Sequence, residues 1–157
     1  MRKVRKVLKW FVLVIALVFV CLQFVRPART NPAIDQTQTI HSRLQVTPPV
    51  ASIIDRSCHD CHSNATRWPW YSNVAPVSWF VIDHVNHGRS HMNLSEWGKL
   101  DKRGADTKLE EMCEEVSDKL MPIDSYTWIH RGAKLSAEDI KTLCDWTEAE
   151  RARLAAQ

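Results

Sequence analysis

No stretch of this chain alternates apolar and polar residues well enough to form a strand, and none repeats another, so a β-rich or repeat architecture has no support. Nor does the chain hold a stripe of Lys and Arg interleaved with aromatics, the pattern a nucleic-acid partner would call for. The formal charge of +3 is no substitute for one. Arg2, Lys3, Arg5, Lys6 and Lys9 all fall in the first ten residues, and residues 26–157 hold 16 Lys and Arg against 18 Asp and Glu, a balance of −2. Compositional bias is absent too: 25% charged and 45% hydrophobic residues are ordinary globular values, which excludes a disordered or collagen-like chain. At 157 residues there is room for one modest core.

What the chain has in excess is tryptophan, with seven. Large flat side chains in that number suit core packing, and they also suit a domain wrapped around a large apolar cofactor. The other conspicuous feature is Trp10 to Val25, sixteen positions without a charge, extended backwards past Lys9 by Val7 and Leu8. Nothing after it resembles a small-x-small cleavage site, since Arg26-Pro27-Ala28-Arg29 follows, and Cys21 follows Val20 where a lipoprotein signal needs a small residue. The run is therefore read as an uncleaved anchor, close to a minimal membrane span. The basic flank before it would stay in the cytoplasm, making the protein single-pass in the inner membrane with its C-terminal domain periplasmic. On this reading residues 1–26 are flank and anchor, 27–46 a Thr, Asn, Gln and Pro-rich linker, and 47–157 the folded domain.

Within that domain the pattern is helical. Thr47-Pro48 opens a first helix with Val50, Ile53 and Ile54 at helical spacing. Pro76 opens a second that is expected to stop near Gly88, and Asn93 caps a third candidate running to Trp97. Thr107 with Glu110 reads as a capping box for a fourth, carrying Leu109, Met112, Cys113, Val116 and Leu120. Ser136 and Asp139 do the same for a fifth, carrying Ile140, Leu143, Cys144 and Trp146. The expected fold is all-α with long irregular connections.

The chemistry lies in Cys58-His59-Asp60-Cys61-His62. Two cysteines two residues apart can each add to one vinyl group along one haem edge, and a histidine directly after the second is placed to bind the iron. A zinc site would need a second ligand pair at similar spacing, whereas Cys113 and Cys144 stand alone. A redox CxxC would usually precede a helix in a βαβ setting, and this one follows a helix in an all-α chain. The motif therefore implies one covalent haem c, with His62 on one face of its iron. For the other face Met121 is the first choice, because Pro122 pushes its backbone toward an extended conformation at the end of a helix. His84 or His130 is the alternative, each lying in an apolar segment, with His87 and His91 behind them.

The run Cys58-His59-Asp60-Cys61-His62-Ser63-Asn64-Ala65-Thr66-Arg67-Trp68-Pro69-Trp70-Tyr71-Ser72, followed by Ala75-Pro76-Val77-Ser78-Trp79, resembles the bacterial haem-binding domain family, a group of cytochrome c-like proteins. The similarity continues through His84-Val85, Gly88-Arg89, Asn93 to Trp97, Met121-Pro122, Tyr126, His130 and Ala133 to Ser136, and covers roughly residues 47–148. It implies one c-type haem in a cytochrome c-like helical fold. In that stretch Trp68, Trp70, Tyr71, Arg89 and Trp97 are candidates to line the haem pocket, the rings covering the macrocycle and the polar groups meeting its propionates. Asn64 and Thr66 read equally well as turn residues. Cys113 and Cys144 lie on the apolar sides of their helices, and in an oxidising compartment a disulfide between them is expected.

Two functions then compete. A haem with both axial positions filled would carry single electrons between redox partners near the membrane, and this is the preferred reading. A haem with an open or labile sixth position would bind a gas or reduce peroxide, which further needs an acid–base group beside the iron.

Overall fold

In the computed structural model, which describes residues 2–156, every regular element is helical. The α-helices are α1 (Arg2–Leu22), α2 (Ile40–Arg43), α3 (Pro48–Ser57), α4 (His59–His62), α5 (Val77–His91), α6 (Lys102–Ser117), α7 (Asp124–Ile129) and α8 (Ala137–Ala155). Short 3₁₀ turns punctuate the connections. The chain forms two compact units. One contains residues up to Thr30 together with 68–84; the other contains Asn31–Arg67 and the chain from Val85 onward.

The larger unit holds the core. Val50, Ile53 and Ile54 of α3 meet Leu109, Met112 and Val116 of α6 and Leu143 and Trp146 of α8, all buried. Ile40 and Leu44 join them, so the stretch whose composition suggests a linker contributes two core side chains and the one-turn helix α2. Helix α8 begins as its sequence implies, with Asp139 N–H donating to Ser136 Oγ at 3.1 Å and Ser136 N–H to Asp139 Oδ2 at 2.8 Å. Helix α6 begins earlier than expected. Asp101 accepts from Gly104 N–H at 2.7 Å and caps it, leaving Thr107 inside the helix. Asn93 caps no α-helix: its Oδ1 accepts from Ser95 N–H at 3.0 Å in a local turn, and only a three-residue 3₁₀ turn follows at Trp97–Lys99. Cys113 and Cys144 are joined by a disulfide between α6 and α8, with Cα atoms 4.9 Å apart.

Helix α5 runs through Gly88 to His91, where a C-terminal stop was expected. The reason is tertiary. Gly88 does not adopt positive φ; instead a Cβ at this position would lie 2.7 Å from the Cys61 carbonyl oxygen. The missing side chain serves close packing of α5 on the cysteine motif rather than a helix end.

In the smaller unit a two-way amide clamp holds Gln23 to Ala75. Gln23 Nε2 donates to Ala75 O at 3.1 Å, and Ala75 N–H donates to Gln23 Oε1 at 3.0 Å. Trp79 Nε1 donates to Val25 O at 2.7 Å.

The expected transmembrane helix is not supported, and with it falls the single-pass inner-membrane, periplasmic placement. Among the described residues no helix is long and apolar enough to cross a membrane. The sequence run is uncharged through Val25, but α1 ends at Leu22, and Gln23 to Val25 turn back on it through bonds to the carbonyls of Val20, Cys21 and Leu22. Its first eight positions carry Arg2, Lys3, Arg5, Lys6 and Lys9. The uncharged helical part, Trp10 to Leu22, is thirteen residues, or about 20 Å at the helical rise, against a hydrocarbon core of about 30 Å.

Candidate functional site

Residues 58–62 form a single tight turn. Cys58 closes α3 and its carbonyl accepts from Cys61 N–H at 3.3 Å and His62 N–H at 2.9 Å. This winding brings Cys58, at the start of α4, within one turn of Cys61 and His62 in it. Both sulfurs are free thiols and partly buried. Burial pushes the Cys58 thiol up to about 12, with Cys61 adding to the effect, and the Cys61 thiol up to about 11, with Asp60 adding to it. A disulfide-exchange CxxC needs a thiol pushed the other way, toward thiolate at neutral pH.

His62 is oriented from behind. Its Nδ1 lies 3.1 Å from the Met92 carbonyl oxygen, and because a carbonyl only accepts, Nδ1 carries the hydrogen and Nε2 the lone pair. Burial pushes its pKa below the ordinary value, opposed by hydrogen bonds to the Met92 and Gly88 carbonyls. The neutral ring with Nε2 presented is the form that binds a metal. Leu94 N–H donates to the His62 carbonyl at 2.7 Å, so the segment after α5 grips this residue at two points.

Asp60, between the two cysteines, is the fulcrum of the turn. Its Oδ1 accepts from Arg67 Nε at 2.8 Å, its Oδ2 from the Tyr126 hydroxyl at 2.8 Å, and its carbonyl from Thr66 Oγ1 at 2.7 Å. Arg67 also donates to the Asp55 carbonyl at 2.6 Å, tying the turn to α3. The Tyr126 hydroxyl is pushed above its ordinary range, first by burial and then by its bond to the Asp60 carboxylate, so it stays a donor. Beyond the motif, Asn64 and Thr66 are buried and hold the loop. Asn64 N–H donates to Ser95 Oγ at 3.0 Å, and its Oδ1 accepts from Asn93 Nδ2 at 2.8 Å.

Other expected site residues fall as follows. Arg89 belongs to the motif's unit and braces its loop, donating to the Ser63 carbonyl at 2.7 Å, to Thr66 Oγ1 at 2.9 Å and to Asn31 Oδ1 at 3.0 Å. Trp97 is 2% exposed, and its indole Nε1–H has no partner among the described residues. Met121 follows α6, 37% exposed, with its backbone N–H on the Glu115 carbonyl. Met112 is buried in the core and Met92 packs beside it. His130 caps α7 and stacks on Tyr126 with ring centroids 4.4 Å apart. Trp68, Trp70, Tyr71 and His84 belong to the smaller unit. There Trp70 is 79% exposed and meets Tyr71 edge-on, and His84 Nδ1 bonds the Phe80 carbonyl at 2.9 Å. Among the described residues no three His, Cys, Asp or Glu side chains gather as a metal-holding group, so His84, His87 and His91 form no such site despite their spacing on α5.

The roles of Met92, Asp60 and Tyr126 are not marked by any sequence pattern. Asp60 was hidden in a variable position of the motif, and the Met92 contribution is a backbone carbonyl, which no side-chain pattern reveals.

A helical fold built around a braced CxxCH turn defines the class: a haem-binding domain. The model of the family described as the haem-binding domain matches residues 17–149, and the chain belongs to that family. No curated protein and no solved structure matches it. The residues present fit a haem. The turn offers two thiols and a histidine with Nε2 presented, and a buried indole donor in the same unit lacks the acceptor that a propionate would provide.

Proposed function

We propose that the chain holds one haem, attached as a c-type group through Cys58 and Cys61, and passes single electrons to and from a protein partner. The observation that carries this reading is the state of His62, with Nδ1 tied to the Met92 carbonyl and Nε2 left to donate its lone pair. The Cys58 and Cys61 thiols would hold the haem as thioethers, each sulfur adding to one vinyl carbon and its hydrogen passing to the neighbouring carbon, with no net oxidation. Bound haem supplies a one-electron iron couple. The chain's own groups do the rest. Asp60, fixed by Arg67 and Tyr126, keeps the spacing of the two sulfurs. The Met92 carbonyl keeps the His62 ring from rotating.

Met121 is the residue that would offer a thioether to the iron in this reading. Tyr126, five residues further on, donates its hydroxyl to Asp60, so the segment following Met121 is bound to the attachment turn itself. A thioether favours ferrous iron and raises the potential. With His62 and Met121 both holding the iron, no position would remain on it for a substrate, which suits an electron carrier.

Oxidised and reduced optical spectra test the ligand set. The ferric protein should show the weak near-infrared sulfur-to-iron band, Met121→Ala should lose it, and the reduced wild type should resist carbon monoxide. Rapid stoichiometric carbon monoxide binding by the reduced wild type would count against electron transfer and for an open sixth position.

A further inference from the structure

The smaller unit contains a cavity of about 200 Å³ lined by Arg26, Pro27, Arg29, Ser72, Asn73, Ser78 and Ile82. No acidic residue lines it, and among the described residues no carboxylate forms an ion pair with either arginine. Each guanidinium is only partly used. Arg26 donates through Nε to the Gln23 carbonyl at 2.8 Å, and Arg29 through Nη1 to Ser72 Oγ at 3.2 Å, leaving the remaining N–H groups of both. The floor is polar and buried. Ser78 is 5% exposed, lines the cavity, and its Oγ makes no hydrogen bond among the described residues. Ser78 is also the second residue of α5, at the end of the helix where peptide dipoles add positive charge.

We propose that this cavity is a binding site for a phosphoryl group, either inorganic phosphate or a phosphate monoester. Two guanidinia with unused donors match the spread oxygens of a tetrahedral oxyanion, and Ser78 Oγ–H supplies a donor from the floor. Asn73 is a weaker contributor, because its Nδ2 already donates to the Trp70 carbonyl at 2.9 Å. The site lies wholly within the smaller unit and does not depend on the haem reading.

Calorimetric titration of the haem-loaded full chain at low ionic strength tests it, using inorganic phosphate, glycerol 3-phosphate and, as a control, chloride. Saturable binding of either phosphate probe, with chloride inert, is expected; the tighter of the two identifies a free or an esterified ligand. Arg29→Gln should weaken binding about tenfold or more, the scale of one lost charge-assisted hydrogen bond. Arg29 also bonds Ser72, so Arg26→Gln and Ser78→Ala are run beside it, with helical circular dichroism confirming that each variant folds. Absence of phosphate binding, equal binding of chloride, or undiminished binding in folded Arg26→Gln and Ser78→Ala would each overturn the assignment.

Discussion

At the scale of single residues, the Cys58 to His62 turn is held by groups other than its two thiols and the His62 ring. Asp60 accepts hydrogen bonds from Arg67, Tyr126 and Thr66, and the Met92 carbonyl sets the tautomer of His62. Gly88 shows the same logic by subtraction. A methyl group there would meet the Cys61 carbonyl at 2.7 Å, and the obstacle is backbone, which cannot swing aside as a side chain would. Gly88→Ala is therefore expected to destabilise the fold by about 1–3 kcal/mol, the usual cost of overpacking, despite the better helix propensity of alanine. Chemical denaturation of the variant checks this. An unchanged or higher midpoint would mean that α5 does not need its close approach to the motif.

At the scale of elements, the segment from Met121 to α8 is fastened along α3 and the motif. Tyr126 bonds Asp60, Ser57 Oγ donates to the Ala133 carbonyl at 2.9 Å, and Arg56 pairs with Asp139 at 2.7 Å. That pair makes an acid-sensitive joint. The Arg56 guanidinium, helped by Ser136, holds the Asp139 carboxyl down to about 2 from an ordinary value of 3.8. A depressed carboxyl stabilises the fold above its unfolded pKa, and the contribution is lost as pH falls from about 4 through 2. Wild-type stability should therefore drop in that window, and Asp139→Asn should be less stable at pH 6 while falling less steeply below pH 4. Parallel acid titrations followed by circular dichroism would expose the difference. The disulfide makes a second joint: it spans 31 residues between α6 and α8. Replacing both Cys113 and Cys144 by serine should cost about 3–4 kcal/mol in the chain-entropy view, measurable by urea denaturation. The elements also show what a sequence can reveal. The start of α8 was legible because Ser136 and Asp139 satisfy each other locally. The continuation of α5 past Gly88 was not, because its cause is a contact with Cys61, twenty-seven residues earlier. The end of α1 escaped for a similar reason: an uncharged run does not disclose that Gln23 turns away and clamps Ala75.

At the scale of the whole molecule, the chain is a helical haem-binding protein whose larger unit contains both the hydrophobic core and the Cys58 to His62 turn. What was legible in the pentapeptide Cys58 to His62 is haem binding, which the family match over residues 17–149 supports. The bracing of the turn was not, because it rests on a backbone carbonyl, on a tyrosine sixty-six residues from its acceptor and on a glycine that is important for what it lacks. Nor could the sequence tell that Ile40 and Leu44 reach the core, since scattered apolar residues in a polar stretch carry no period. The central claim is that Cys58 and Cys61 each carry a thioether to one haem. The most direct measurement is the intact mass of the purified protein after denaturation and acid extraction. The expected result is a chain heavier by one haem, with no pigment in the extract and with the added mass lost in the Cys58→Ser, Cys61→Ser double variant. A wild-type chain at its bare mass, with the haem recovered in the extract, would contradict covalent attachment.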